Sequence, residues 1–397
     1  MRVENVRIVP VARGGARLEA RVRYDDRPRR PEVAWFEVPA ALADGLDATT
    51  GNAFLAAFLP VAVALDEPLD VDAPVDAPLL EGAAEVPAVW RRWYGTRADV
   101  VVRAPSRPRP GAGPTRRVVF FSGGLDSTYT ALHLGGRLGS LEADAGSPLD
   151  ELLVVEGFDV RLRDRAKLEV AMREVAAAAA ALGAPLHVVR TNLRDTRWHE
   201  ADWALLAHGA LLAAVGLALG RRYGEAWIAA SVSGGPDAPW GSHPATDERL
   251  SSWTLAVRQD GFGVERMDKL RAIAPVPGAL ARLRVCWAGR TGRNCGRCVK
   301  CVEARAMVDA LVGPDAAPTL PRAPDFLARL RAHPLEGSHD ARNLDAIVRE
   351  ARTHGRLDVA EAAAHARAAA AVVPDRVGVR APRSRRPAWW RRALGST

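Results

Sequence analysis

The chain has 397 residues, 48% of them apolar and 26% charged, with a formal net charge of +8. That length and composition exclude a disordered or fibrous protein and leave room for two or three domains with sizeable cores. Seven Arg and one Asp in residues 374–397 carry +6 of the +8, so the body is nearly neutral and nucleic acid is not the favoured partner. No stretch near Met1 has the charged, apolar and small-residue order of a signal peptide. The longest apolar run, 204–220, contains His208 and is too rich in Gly and Ala for a membrane span. The expected location is the cytoplasm.

In chain order, residues 1–108 read as a separate small α+β region. Strands are expected at 6–9, 18–22, 33–38 and 69–71, and helices at 53–65 and 86–94. Four Pro and two Gly in 104–114 mark a linker, set at 109–115. From 116 the pattern alternates: strand 118–121 and helix 127–138, strand 152–155 and helix 164–182, strand 186–189 and helix 203–219, then strand 226–230. Continuous apolar strands separated by helices imply a parallel sheet covered on both faces. Ligands of such sheets bind where the strands end, here at residues 122–127, 156–159 and 231–235. Residues 313–373 read as a helical C-terminal region that covers the cysteine-bearing element at 286–301 or joins copies in a homo-oligomer. The Arg- and Trp-bearing tail 374–397 reads as disordered.

Ser122-Gly123-Gly124-Leu125-Asp126-Ser127 follows the first of those strands and opens its helix. Gly123 and Gly124 let backbone amides approach an anion without an intervening Cβ, and the helix dipole favours negative charge there. Ser122 and Ser127 add hydroxyls. Asp126 beside a polyanion calls for a cation, and Mg²⁺ suits its oxygens. No Gly-Lys-Ser/Thr follows, so this is not a Walker A loop. The segment resembles the PP-loop of the ATP pyrophosphatases, which implies ATP cleavage between the α and β phosphates and adenylation of a substrate oxygen.

All four cysteines, Cys286, Cys295, Cys298 and Cys301, fall in one C-x8-C-x2-C-x2-C cluster. In a chain without other thiols this reads as a closed, structural zinc site, with an Fe–S or redox role as the alternative. Together with Asp268-Lys269-Leu270 just upstream, the cluster resembles the ending of the 7-cyano-7-deazaguanine synthase family, over residues 116–310. That resemblance implies an adenine-nucleotide α-hydrolase-like, five-stranded parallel sheet. It also implies Lys269 in contact with ATP or substrate, and a carboxylate activated by adenylation and then attacked by ammonia. The chain departs from the family at Gly157–Asp164 and Asp195–Glu200, where the acceptor half is rewritten.

Gly157 and Asp159, after the second strand, are candidates for cofactor binding in the ATP pocket. Asp159 is also a candidate for the acceptor half, because a carboxylate there can contact ribose or metal, as is His243 in Pro239–Pro244, whose ring can move a proton. Trp198-His199-Glu200 with Asp202 reads either as a polar helix start or as a further site. The expected acceptor is a small-molecule carboxylate or heterocycle, with nitrogen from ammonia or an amine. No Cys precedes Cys286 to serve a glutaminase. A tRNA-thiolating enzyme and a non-catalytic ATP-sensing module are the competing readings.

Overall fold

The computed structural model describes residues 1–95, 100–138, 149–231, 239–335 and 338–370. The tail and residues 232–235 of the fourth strand-end loop lie outside the described residues. The chain opens with strands β1 (Arg2–Pro10), β2 (Ala16–Tyr24) and β3 (Arg27–Val38), then helix α1 (Asn52–Leu65). Next come β4 (Leu69–Val71), β5 (Val75–Asp76), α2 (Ala77–Tyr94), β6 (Val102–Arg103) and β7 (Ser106–Arg107). The alternating part follows: β8 (Arg116–Phe120), α3 (Leu125–Leu134), β9 (Glu151–Glu156), α4 (Arg165–Ala181), β10 (Leu186–Thr191), α5 (His208–Ala218) and β11 (Tyr223–Ala229). It closes with α6 (Pro244–Asp247), β12 (Ala256–Asp260), α7 (Arg266–Ile273) and α8 (Val299–Leu311). Helices α9 (Phe326–Arg331), α10 (Ser338–Thr353) and α11 (Leu357–Ala370) complete the described chain.

Ten strands form one sheet in the order β12-β11-β8-β9-β10-β3-β2-β1-β4-β6. The first five are parallel to one another. β12, which extends the series past the expected last strand, is an edge strand with Arg258 and Gln259 in it, so it lacks the continuous apolar signature of a strand buried on both faces. Side chains alternate strictly across the sheet. Val118, Phe120, Leu153, Val189, Ala226, Ile228 and Val257 enter the core with α1 and α5. Val119, Phe121, Leu152, Val154 and Trp227 enter the core with α3, α4, α7, α8 and the C-terminal helices.

The N-terminal region is not a separate unit. β3 pairs antiparallel with β10 through Arg190↔Glu37 and Thr191↔Phe36. Asn192 prolongs that ladder with its side chain, accepting from Trp35 N at 2.9 Å and donating to Val33 O at 2.7 Å. The inner face of β1–β3 and all of α1 except its last residue lie in the same core as β8–β12. A helix apolar on every side needs cover on every side, and α5, nearly as apolar, supplies one wall. Just before the expected linker, at the start of the Pro- and Gly-rich stretch 104–114, β7 pairs with β5 and ties the chain down.

Two helix boundaries moved for local reasons. α3 stops at Leu134 because Gly135-Gly136 follow, with Gly136 at φ +67°. The expected helix 203–219 begins with a π-turn at Trp203–Ala207. There the Gly241 amide donates to Ala204 O at 2.7 Å and Gly241 O accepts from Gly209 N at 2.8 Å, so a loop backbone is inserted into the helical ladder. No helix among the described residues is long and apolar enough to cross a membrane.

Candidate active site and metal centre

β8 runs into the Ser122–Ser127 loop at the carboxyl edge of the sheet. Gly123 adopts φ +75°, and its carbonyl accepts from Arg284 N at 2.7 Å. The Ser127 hydroxyl folds back to donate to Gly124 O at 3.2 Å, with Ser122 Oγ 3.3 Å from it. Gly124 occupies the N-cap position of α3, where it offers no side-chain cap. The first-turn amides of α3, from Leu125 onward, therefore keep the donor capacity that a Ser or Asp cap would take up.

Two cations from α7 converge on Asp126 in that first turn. Lys269, 2% exposed, places Nζ 3.2 Å from Asp126 Oδ1 and donates to Ala230 O at 2.5 Å. Arg266 stands 3.5 Å from Asp126 Oδ2 and donates to Ser231 O at 2.9 Å. Gly261, at φ +72°, follows β12, and a Cβ there would lie 3.0 Å from Lys269 Cε. Three strand ends, β8, β11 and β12, thus surround the Asp126–Lys269 pair. Arg266 was not singled out from sequence, though its place three residues before Lys269 puts both on one helix face. Burial works against the Arg266 charge, but Asp126 and Glu303 outweigh it and hold the guanidinium well above its ordinary range.

Beyond Ser231 the same edge turns aromatic. Trp240 Nε1 donates to Ser231 Oγ at 3.1 Å. Trp240, His208, Trp203 and Phe158 then follow one another with ring centroids 5.5–5.8 Å apart. Arg194 lies 4.4 Å over Trp203. His208 donates Nδ1–H to Trp203 O at 2.8 Å, and burial lowers its pKa to about 4, so it is neutral near pH 7. Asp159 is exposed beside this run and acts electrostatically on both Arg194 and His208. Gly157 has φ +101°, and a Cβ there would sit 2.1 Å from Thr191 O, so backbone geometry alone requires glycine at this position.

His243 has a capping contact of its own. It is buried, and its Nδ1 accepts from Ala245 N at 3.0 Å as the N-cap of α6. Its ring is edge-on to Trp93 at 4.9 Å and Phe262 at 4.8 Å. Behind it, buried Asp247 accepts from Ser242 Oγ at 2.6 Å and Gln259 Nε2 at 2.7 Å. Desolvation nevertheless raises its pKa to about 6. The segment Trp198-His199-Glu200 is a joint with the N-terminal region: Trp198 Nε1 donates to Ala57 O at 2.7 Å, and Arg197 pairs with Asp26 and Glu200. Asp202 caps the turn that follows by accepting from Ala204 N and Leu205 N, both at 2.9 Å.

The four cysteine sulfurs lie within 4.8 Å of one another, with Cys286–Cys298 at 3.7 Å and Cys295–Cys301 at 3.9 Å. A tetrahedral Zn²⁺ with Zn–S near 2.3 Å separates its sulfurs by about 3.8 Å, so the cluster could hold a metal ion and its spacing is compatible with zinc. Gly296 turns at φ +67°, and the amides of Arg297 and Cys298 donate to Cys295 Sγ at 3.4 and 3.3 Å. Asn294 staples the knuckle by accepting from Val285 N at 2.9 Å and donating to Leu283 O and Thr319 O, each at 2.8 Å. The knuckle begins two residues after Arg284, which holds the Gly123 carbonyl. No family model, no curated protein and no solved structure matches this chain.

Proposed function

We propose that the chain is an ATP-dependent ligase of the PP-loop type, with ATP bound at the Ser122–Ser127 loop. The observation that carries this reading is the convergence of Lys269 and Arg266 on Asp126 at the uncapped start of α3. Amide donors of one strand-end loop, with a buried ammonium and a guanidinium brought to it by α7, match the charge that develops on a leaving pyrophosphate. Ser122, Gly123, Gly124, Leu125 and Ser127 supply the cradle. Asp126 is the residue that would hold Mg²⁺, which supplies charge neutralisation on the phosphates when bound. Because Asp126 already faces two protein cations, its presence beside a polyanion does not by itself require the metal. The four cysteines would hold Zn²⁺ in a structural role, with no open position for chemistry.

In the reaction an acceptor carboxylate or amide oxygen attacks the α-phosphorus and pyrophosphate leaves. Ammonia or an amine then adds to the activated carbon, loses a proton and displaces AMP. Trp203, His208 and Trp240, with Arg194, form a half-buried rim in front of buried Phe158, beside which a planar, anionic acceptor would lie. Asp159 borders that rim. His243, committed to capping α6, supplies no proton step in this scheme.

The test is mass-spectrometric detection of AMP and pyrophosphate from ATP, with a panel of aromatic and aliphatic carboxylates and an ammonia source. Asp126→Asn and Lys269→Met should each lower turnover by about 100-fold or more. ATP binding without pyrophosphate release from any acceptor would favour the ATP-sensing module, and release dependent on added tRNA would favour the thiolating reading.

A further inference from the structure

Three helices and a strand end meet around one guanidinium. Arg266, the first residue of α7, donates Nη2 to Ser231 O at 2.9 Å and Nη1 to Glu303 Oε1 at 3.1 Å, while Asp126 Oδ2 is 3.5 Å away. Glu303 on α8 is 6% exposed, and its Oε1 also accepts the side-chain amide of buried Asn343 on α10 at 2.5 Å. Asp340, one turn earlier on α10, adds to the negative field at Arg266. α10 grips α7 at two further points, Arg342–Glu265 at 3.1 Å and Glu350–Arg271 at 3.0 Å. The helix that carries both cations of the glycine loop is therefore braced by α8 and α10 as well as by α3.

We propose that Glu303, oriented by Asn343, is a positioning residue that draws Arg266 partly away from Asp126, so that the guanidinium stays only loosely paired with that carboxylate and remains available to the pyrophosphate end of ATP. This deepens the reading of the loop as an ATP site and rests on it. A guanidinium largely withdrawn from water, as the half-buried Arg266 is, seeks the nearest anion. With Glu303 in place, Arg266 divides between two carboxylates and stays loosely paired with Asp126. With the charge at 303 removed, Arg266 closes on Asp126, and each neutralises the group the ligand needs. The C-terminal helices thereby become part of the construction of the site rather than a cover for the cysteine element.

Calorimetric titration of the full chain with Mg²⁺ and inorganic pyrophosphate tests this. Glu303→Gln should weaken binding about tenfold, and Asn343→Leu, which leaves the charge but frees its orientation, about threefold; Glu303→Asp should retain most of the affinity. In an Arg266→Met background Glu303→Gln should cause no further loss, a non-additivity that general loosening of the fold would not produce. Wild-type affinity in Glu303→Gln, or a loss that adds in full to that of Arg266→Met, overturns the positioning role and leaves the ATP reading standing. Should Glu303→Gln lack a cooperative melt, Asn343→Leu alone and with Arg266→Met carries the same comparison. A wild-type chain that binds neither pyrophosphate nor ATP overturns the ATP reading, and the positioning role with it.

Discussion

Gly157 and Arg266 show how differently single residues declare themselves. Gly157 was a candidate because it ends a strand. Its φ of +101° and the 2.1 Å approach of a would-be Cβ to Thr191 O give it a purely backbone reason. Gly157→Ala should therefore cost more than about 2 kcal/mol, combining the left-handed strain with a displaced β10 carbonyl. A chemical-denaturation midpoint unchanged in Gly157→Ala would contradict that. Asp126 and Lys269 were both legible, one from the glycine motif and one from its place before the cysteines. Arg266 shares a helix face with Lys269 and could have been reached by that spacing. Glu303 and Asn343 could not, because their relevance is a contact between helices 40 residues apart in sequence.

At the scale of elements, the joint between α5, its π-turn and the 239–247 loop holds two buried groups with opposed pH behaviour. His208 is neutral in the fold down to about pH 4, while an unfolded His binds a proton below about 6.5. Its contribution to stability therefore rises with pH across that window. Asp247 keeps its proton up to about pH 6 in the fold but loses it near 3.8 when unfolded, so its contribution falls as pH rises between those values. The two slopes oppose each other between about pH 4 and 6. Asp247→Asn removes one of them, and the melting temperature of the variant should climb with pH from 4 to 6.5 more steeply than that of the wild type. Parallel profiles would refute the assignment.

The cysteine knuckle is the second element with a reach beyond itself. Arg284 N holds Gly123 O at 2.7 Å, and Asn294 fixes Val285 and Cys286. Removal of the metal should consequently loosen the glycine loop as well as the knuckle. Cys298→Ser should melt earlier than wild type and should no longer respond to a chelator that destabilises the wild-type chain. A variant that melts like the wild type, chelator present or absent, would argue against a structural metal.

The whole molecule is organised by one sheet rather than by the expected succession of regions. Antiparallel β1–β3 keep one face in the shared core and cover the other with ion pairs such as Arg7–Glu19 at 2.7 Å and Arg23–Glu4 at 2.7 Å. Deleting residues 1–108 would uncover the edge of β10 and the apolar flank of α5, so the remainder should aggregate. A soluble remainder with a cooperative melt would instead show that residues 1–108 can be spared.

What the sequence determined by itself is local. Period-two and continuous apolar runs specified most strands of both halves, the paired glycines specified a helix entry without a side-chain cap, and the cysteine spacing specified a closed cluster. Each of those follows from backbone sterics or ligand geometry within a few residues. What only the tertiary structure decided is which distant groups meet: β3 beside β10, Gly241 inserted at the π-turn, Arg266 shared between Asp126 and Glu303, and His243 spent on a cap. Those outcomes depend on burial and on the pairing of charges that burial strips of water. Such pairing is a property of the folded whole, to which a linear pattern holds no key.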